Sequence, residues 1–194
     1  MDIVFSKNGN TGEYTPLVLL GLEENENLFI SNGLWDALYI PLCAEAQPFL
    51  IGQGQSGQSD NDQNWVIHVD LDSPKLDTES GTNLFREFGG NSPFLDRICE
   101  ILGAVHEGIS EVKPFTDILE KYNLLEPFAV ETTLKNNRKC KFQGFHVINE
   151  DRLAELSAED IASLHASGFL FDIHMQIASL SNFSTLFDRK NKTL

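Results

Sequence analysis

The chain has 194 residues and a formal net charge of −15, with 29 Asp and Glu against 14 Lys and Arg. That length suits one globular domain, or at most two small ones, with a core that needs no disulfides or metals, and a charge of that sign repels nucleic acid and anionic lipid. No window approaches the ~18 apolar residues of a membrane span, and the opening Met1-Asp2-Ile3-Val4-Phe5 lacks the basic flank and long apolar stretch of a signal peptide.

The acidity is uneven. Residues 1–80 hold 13 acids and only Lys7 and Lys75 as bases, whereas residues 81–194 hold 16 acids and 12 bases. Three of those bases, Arg189, Lys190 and Lys192, form a small basic tip that reads as a solubilising, frayed tail. Cys43, Cys99 and Cys140 are odd in number and form no CxxC, so three reduced thiols of a cytoplasmic protein is the simplest account. Phe outnumbers Tyr and Trp, 14 against three and two, which points to core packing or to a groove for apolar peptide side chains.

The first third predicts strands. Ile3-Val4-Phe5 runs into Asn8-Gly9-Asn10-Thr11-Gly12, residues that tolerate positive φ, and returns through Tyr14 to Leu20 as a hairpin. A second hairpin spans 27–30 and 34–40 around Ser31-Asn32-Gly33. Pro41 and Pro48 suit strand ends or edges, since each removes a ladder donor. Phe49-Leu50-Ile51 is a short strand, residues 52–64 are a polar loop, and Trp65-Val66-Ile67-His68-Val69 is β-branched and aromatic enough to be a strand.

The middle predicts helices. Ser92 is a cap and Pro93 a first helical residue, followed by the stripe Leu95, Ile98, Leu102, Val105 and Ile109. Pro114 is expected to open a second, separate helix through Phe115, Ile118, Leu119 and Tyr122. Residues 127–148 form a hairpin that turns at Asn136-Asn137. Asn149 caps one short helix, and Ser157 with Asp160 forms a capping box for another. Gly168 ends it, and Leu170, Ile173, Ile177, Leu180 and Phe183 make the last stripe. The predicted fold is α+β: an antiparallel, hairpin-rich sheet in the first half, packed by helices from the middle and C-terminal thirds, in a single domain over 1–194.

Motifs for chemistry are sparse. His68, Asp70 and Asp72 share one face of a strand and give the HxD spacing of iron oxygenases, which makes them a candidate metal set; the plainer reading is an exposed strand face entering a turn at Ser73-Pro74. Asp70, Asp72, Asp77 and Glu79 do not form an EF-hand, because Lys75 and Gly81 stand where Gly and Glu are needed. His106, His146, His165 and His174 are scattered, with no HExxH and no GxSxG elsewhere. Gly52, Gly54 and Gly57 fit GxGxxG, but polar residues follow where a helix should open, so no dinucleotide cofactor is expected.

Several ordered blocks resemble the bacterial SapC-like family. They include Pro16 to Leu22 with Glu26 to Phe29, Trp35 to Pro41, and Asp70-Leu71-Asp72-Ser73-Pro74-Lys75-Leu76 followed by Glu79-Ser80-Gly81 and Leu84-Phe85. Leu124 to Pro127, Phe142 to Phe145, His165 to Gly168 and Ile177 to Leu180 continue in order. The resemblance implies no assigned catalytic residues. It implies a companion role beside cupin-like, iron and 2-oxoglutarate-dependent peptide hydroxylases and flavin halogenase-like proteins, and it points to Asp70, Asp72, Ser73, Pro74 and Glu79 as a family-motif site. Family members carry a further N-terminal stretch, so the resemblance also implies a short member or a truncated start. The expected function is a non-catalytic adaptor that binds a protein or peptide partner, with no cofactor, nucleic acid or membrane span; a homo-oligomer is compatible with this. The alternatives are a metal-assisted enzyme at His68, Asp70 and Asp72, and a surface-layer-associated structural protein.

Overall fold

The computed structural model describes residues 1–53, 65–77 and 79–194. Its strands are β1 (Ile3–Lys7), β2 (Tyr14–Val18), β3 (Ile30–Ser31), β4 (Leu34–Trp35), β5 (Phe49–Gln53), β6 (Trp65–Val69), β7 (Leu125–Thr133) and β8 (Lys139–Ile148). Its helices are α1 (Leu42–Glu45), α2 (Pro93–Lys121), α3 (Glu150–Ala154), α4 (Ala158–Ala166), α5 (Phe169–Ser179) and α6 (Phe183–Lys192), with a 3-10 turn at Leu180–Asn182. The class is α+β, and every pairing of these strands is antiparallel. The elements gather into two compact units, Met1–Ala37 with Val112–Leu194, and Leu38–Glu111.

The first unit is built on a four-stranded sheet ordered β2-β1-β8-β7. Its two hairpins close as turn chemistry dictates. Asn8 Oδ1 accepts from the Asn10 and Thr11 amides at 2.9 and 3.3 Å, and Asn136 Oδ1 accepts from the Arg138 amide at 3.0 Å. Between Phe128 and Ala129 the β7–β8 register shifts, and the extra residue opposite is Gly144 at φ 94°, a conformation that a side chain would strain. Successive residues of a strand face opposite sides. Val4 accordingly enters one cluster with Phe142, Val147, Phe183 and Leu186, while Phe5 enters another with Leu119, Leu124, Leu164 and Ile173. The sheet is therefore covered on both faces, which accounts for the heavy use of Phe.

The C-terminal helices begin where their caps predict. The Arg152 amide donates to Asn149 Oδ1 (2.8 Å) and the Asp160 amide to Ser157 Oγ (3.1 Å). Gly168, at φ 83°, separates α4 from α5. Two expectations fail nearby. Pro114 does not open a new helix; it lies inside α2, which runs unbroken from Pro93 to Lys121. Proline removes one hydrogen bond and crowds one carbonyl, about 3 kcal/mol. Apolar anchoring of the helix on either side of Pro114, by Leu95, Ile98 and Ile101 in one unit and by Phe115, Ile118 and Leu119 in the other, offsets that. Nor is the basic tip frayed. Lys190 is 6% exposed and pairs with Glu26 and Glu23, while Arg189 holds Asp36 at 2.8 Å and lies 4.6 Å above the Phe29 ring.

Asp2 is fully buried, and neither carboxylate oxygen has a hydrogen-bond partner among the described residues. Burial pushes its pKa up to about 6, against the pull of the N-terminal ammonium. In the unfolded chain the group ionises near pH 4, so between about pH 4 and 6 the folded state binds more protons and stability falls as pH rises. Asp2→Asn is therefore expected to match the wild type below pH ~4 and to exceed it by up to about 3 kcal/mol above pH ~6. Urea unfolding at both pH values checks this; an unchanged difference across the range contradicts it.

In the second unit β5 and β6 form a two-stranded ribbon, in register from Phe49↔Val69 to Gln53↔Trp65. Phe49, Ile51, Ile67 and Val69 pack on Leu95, Ile98, Ile101 and Leu102 of α2, whose start is capped by Ser92 Oγ accepting from the Leu95 amide at 3.2 Å. The predicted stripe stops short, because Ile109 is exposed. The expected polar loop and the glycine-rich near-match lie, from Gly54 to Asn64, outside the described residues.

Candidate functional site

The candidate residues of the sequence fall on β6 and the turns after it. His68 is exposed, with its imidazole lying over Gly52, where a β-carbon would come within 3.0 Å of Cδ2 and Nε2. Asp70 lies just beyond β6, where its amide donates to the Pro48 carbonyl (3.0 Å) and its Oδ1 accepts from the Asp72 amide (3.1 Å). Ser73 Oγ accepts from the Lys75 amide at 3.3 Å, and Lys75 Nζ reaches the Gln47 carbonyl. Next, Asp77 Oδ1 accepts from the Glu79 and Ser80 amides at 2.8 and 3.3 Å. These are Asx and Ser turns, in which a short polar side chain stands in for a backbone acceptor. Asp70, Ser73 and Asp77 thus have local structural work, whereas Asp72, Pro74 and Glu79 are exposed. Among the described residues no group of three His, Cys, Asp or Glu side chains is placed to hold a metal ion.

What the second unit does offer is apolar surface. The outward face of the ribbon carries Leu50, 57% exposed, and Val66 beside His68. Leu38, Tyr39, Ile40 and Leu71 are exposed too. A tight turn from Phe85 to Asn91 displays Phe88 at its tip, 96% exposed, closed by the Arg86 amide on the Gly90 carbonyl and the Gly89 amide on the Arg86 carbonyl. Gly89 and Gly90 both have positive φ, which this turn requires.

Edge protection separates the four-stranded sheet from the β5–β6 ribbon. In the four-stranded sheet the outer strands are β2 and β7, and each contains a proline, Pro16 and Pro127. Proline and charge are the usual devices that stop an edge from recruiting another strand. β5 and β6 contain no proline and no Asp, Glu, Lys or Arg. Among the described residues neither pairs with a third strand.

Residues 1–186 match the model of the SapC family. The chain belongs to the SapC family. No curated protein and no solved structure matches it. The SapC match runs through both compact units, so the ribbon and the four-stranded sheet both lie within it. Of the blocks that carried the resemblance, Asp70 to Leu76 is the turn described above, and Trp35 to Pro41 includes the exposed Leu38, Tyr39 and Ile40. The outward face at Leu50 and Val66 was missed by reading the sequence. A signal for it existed: Leu50 and Val66 alternate with the inward Phe49, Ile51 and Ile67, so apolar residues fall on both faces, a pattern usually reserved for buried strands, and a two-stranded ribbon covers only one of them.

Among the described residues no helix is long and apolar enough to cross a membrane. Cys43, Cys99 and Cys140 are all free thiols.

Proposed function

We propose that this SapC-family chain is a non-catalytic adaptor that pairs an extended segment of a partner protein with the β5–β6 ribbon. The observation that supports this reading is the ribbon itself: strand edges with neither charge nor proline that, among the described residues, pair with no third strand, beside outward-facing Leu50 and Val66. Strand addition draws affinity from main-chain hydrogen bonds and specificity from alternate side chains. Leu50 and Val66 supply an apolar face for those alternate positions. The three free thiols favour a cytoplasmic setting. A peptide hydroxylase of the iron and 2-oxoglutarate class is the first partner to try.

The test is affinity capture from native lysate with the wild type and a Leu50→Lys/Val66→Lys variant side by side. Both positions are exposed, so the variant should keep its stability within about 0.5 kcal/mol. A defined partner retained by the wild type and lost from the variant is the expected result. The same proteins on both, or none on either, would overturn the reading.

A further inference from the structure

A second apolar surface lies in the other unit, among α3, α4 and α5. Leu153, Leu156, Ile161, Leu170 and Ile177 line a groove of about 470 Å³ together with His174. A neighbouring hollow of about 530 Å³ shares Leu170 and His174 and adds Phe171. On α5 three stripes run side by side. Ile173 and Gln176 face the core, Leu170, His174 and Ile177 line the groove, and Phe171 and Met175 stand exposed at 69% and 49%. Helical residues three and four apart share a face, so this helix presents an apolar side to solvent as well as to the core. His174 Nδ1 lies 2.7 Å from the Leu170 carbonyl, and the tautomer that donates there leaves Nε2 as an acceptor.

The charge around this surface points to its occupant. From Glu150 to His174 there are six acids, Glu150, Asp151, Glu155, Glu159, Asp160 and Asp172, against the single base Arg152. Arg152 is itself tied to Glu155 at 2.8 Å. A net of −5 over this one helical stretch repels an acidic ligand and attracts a basic one. A second copy of the chain fits poorly. It carries −15, and the basic helix it would offer, α6, has Arg189 and Lys190 engaged by Asp36 and Glu26.

We infer that the α3–α5 groove docks an amphipathic helix from a partner protein, with aliphatic anchors one turn apart and Lys or Arg on its flanks. The anchors enter between Leu153, Leu170 and Ile177. The flanking cations meet the acids of α3 and α4, and Met175 adapts to the shape of the incoming side chains. This surface is separate from the ribbon and takes a helix where the ribbon takes a strand.

The probe is a pair of synthetic fluorescent peptides with identical leucines at helical spacing, one flanked by lysine and arginine, the other by glutamate, read by anisotropy. The basic peptide is expected to bind about tenfold or more tightly than the acidic one, with affinity falling as salt rises. Glu150→Lys/Glu155→Lys and, independently, Phe171→Ser/Met175→Ser should each weaken it about tenfold; all four positions are exposed, and circular dichroism confirms the fold. Leu50→Lys/Val66→Lys should leave it unchanged. Equal binding of both peptides, binding of neither, or loss only in the ribbon variant would each overturn the inference. The last result would place the peptide on the ribbon and leave the strand-pairing proposal standing. A peptide-independent dimer abolished by Phe171→Ser/Met175→Ser would instead assign the face to a second copy.

Discussion

Gln176→Leu is expected to lower the stability of the protein by about 2–5 kcal/mol, although it replaces a polar side chain in the interior with an apolar one. Gln176 is 2% exposed. Its Nε2 donates to the Ile3 carbonyl at 2.8 Å, and its Oε1 accepts from the Ile148 amide at 3.2 Å. The β1–β8 ladder pairs only Phe5 with His146 and Ser6 with Phe145. At the end where Ile3 and Ile148 lie, the side-chain amide of α5 takes the place of the missing rungs. Ser179 completes the clamp by accepting from the Ile3 amide at 3.0 Å. Leucine would leave one carbonyl and one amide buried without partners, each at about 1–3 kcal/mol. Ser179→Ala removes one acceptor and should cost about 1–2 kcal/mol, and Met175→Ala on the exposed side of the same helix less than about 0.5. Urea midpoints at constant slope provide the measurement. A loss below about 1 kcal/mol for Gln176→Leu would mean that the two backbone groups find other partners.

Lys190→Met is expected to cost about 2–4 kcal/mol, less than the full value for a buried ion pair broken on one side. Lys190 Nζ lies 2.5 Å from Glu26 Oε1 and 3.4 Å from Glu23. Glu26 keeps two other donors, the Leu22 amide at 2.9 Å and the Glu23 amide at 3.3 Å, which is why the loss is partial. The loop that presents it is tight. A β-carbon on Gly21 would come within 2.5 Å of the Glu26 carbonyl oxygen, so only glycine fits there. Burial pushes the Glu26 carboxyl up, but the Lys190 hydrogen bond and the Leu22 amide outweigh it and hold it below its ordinary value. The Glu26 hydrogen bond in turn raises Lys190 above its ordinary value, against burial. The sign follows for each partner. The Glu26 contribution is present above its unfolded pKa and is lost as pH falls through the depressed one; the Lys190 contribution is present below its unfolded pKa and is lost as pH rises through the raised one. The deficit of Lys190→Met should therefore be full near neutrality and shrink below about pH 4. The double variant Lys190→Met/Glu26→Gln should recover much of the loss, since glutamine removes the orphaned charge and keeps an acceptor for the Leu22 and Glu23 amides. A double variant no better than the single one would show that the stability came from packing of the lysine stem.

Much of the local structure was legible because its causes lie within a few residues. Asn8 bonding Asn10, Asn136 bonding Arg138, and Ser157 capping Asp160 are contacts across two or three positions, and residue type alone announces them. The antiparallel α+β class followed from the same turns. The candidate site was legible in a different sense. Asp70, Asp72 and Ser73 stand out in the sequence as patterned, and the Asp70 and Ser73 side chains accept from backbone amides in turns: spacing on one strand shows that carboxylates share a face, not which backbone amides a side chain has already engaged.

Pro114, Lys190 and Gln176 were not legible. The rule that proline opens a helix is sound, but apolar packing along both halves of α2 outweighs a penalty of about 3 kcal/mol. A polar Gln between Ile173 and Ile177 reads as solvent-facing until Ile3, 173 positions away, supplies its carbonyl. Three cations at a chain end read as a solvated tip until the acids of residues 23–36 arrive from the other end of the chain. Turns, caps and fold class thus belonged to the chain as written, being set by short-range sterics and hydrogen bonding. Which charges and amides became interior, and which apolar residues were left on the ribbon and on α5, waited for the tertiary structure, because burial is decided by neighbours that are distant in sequence.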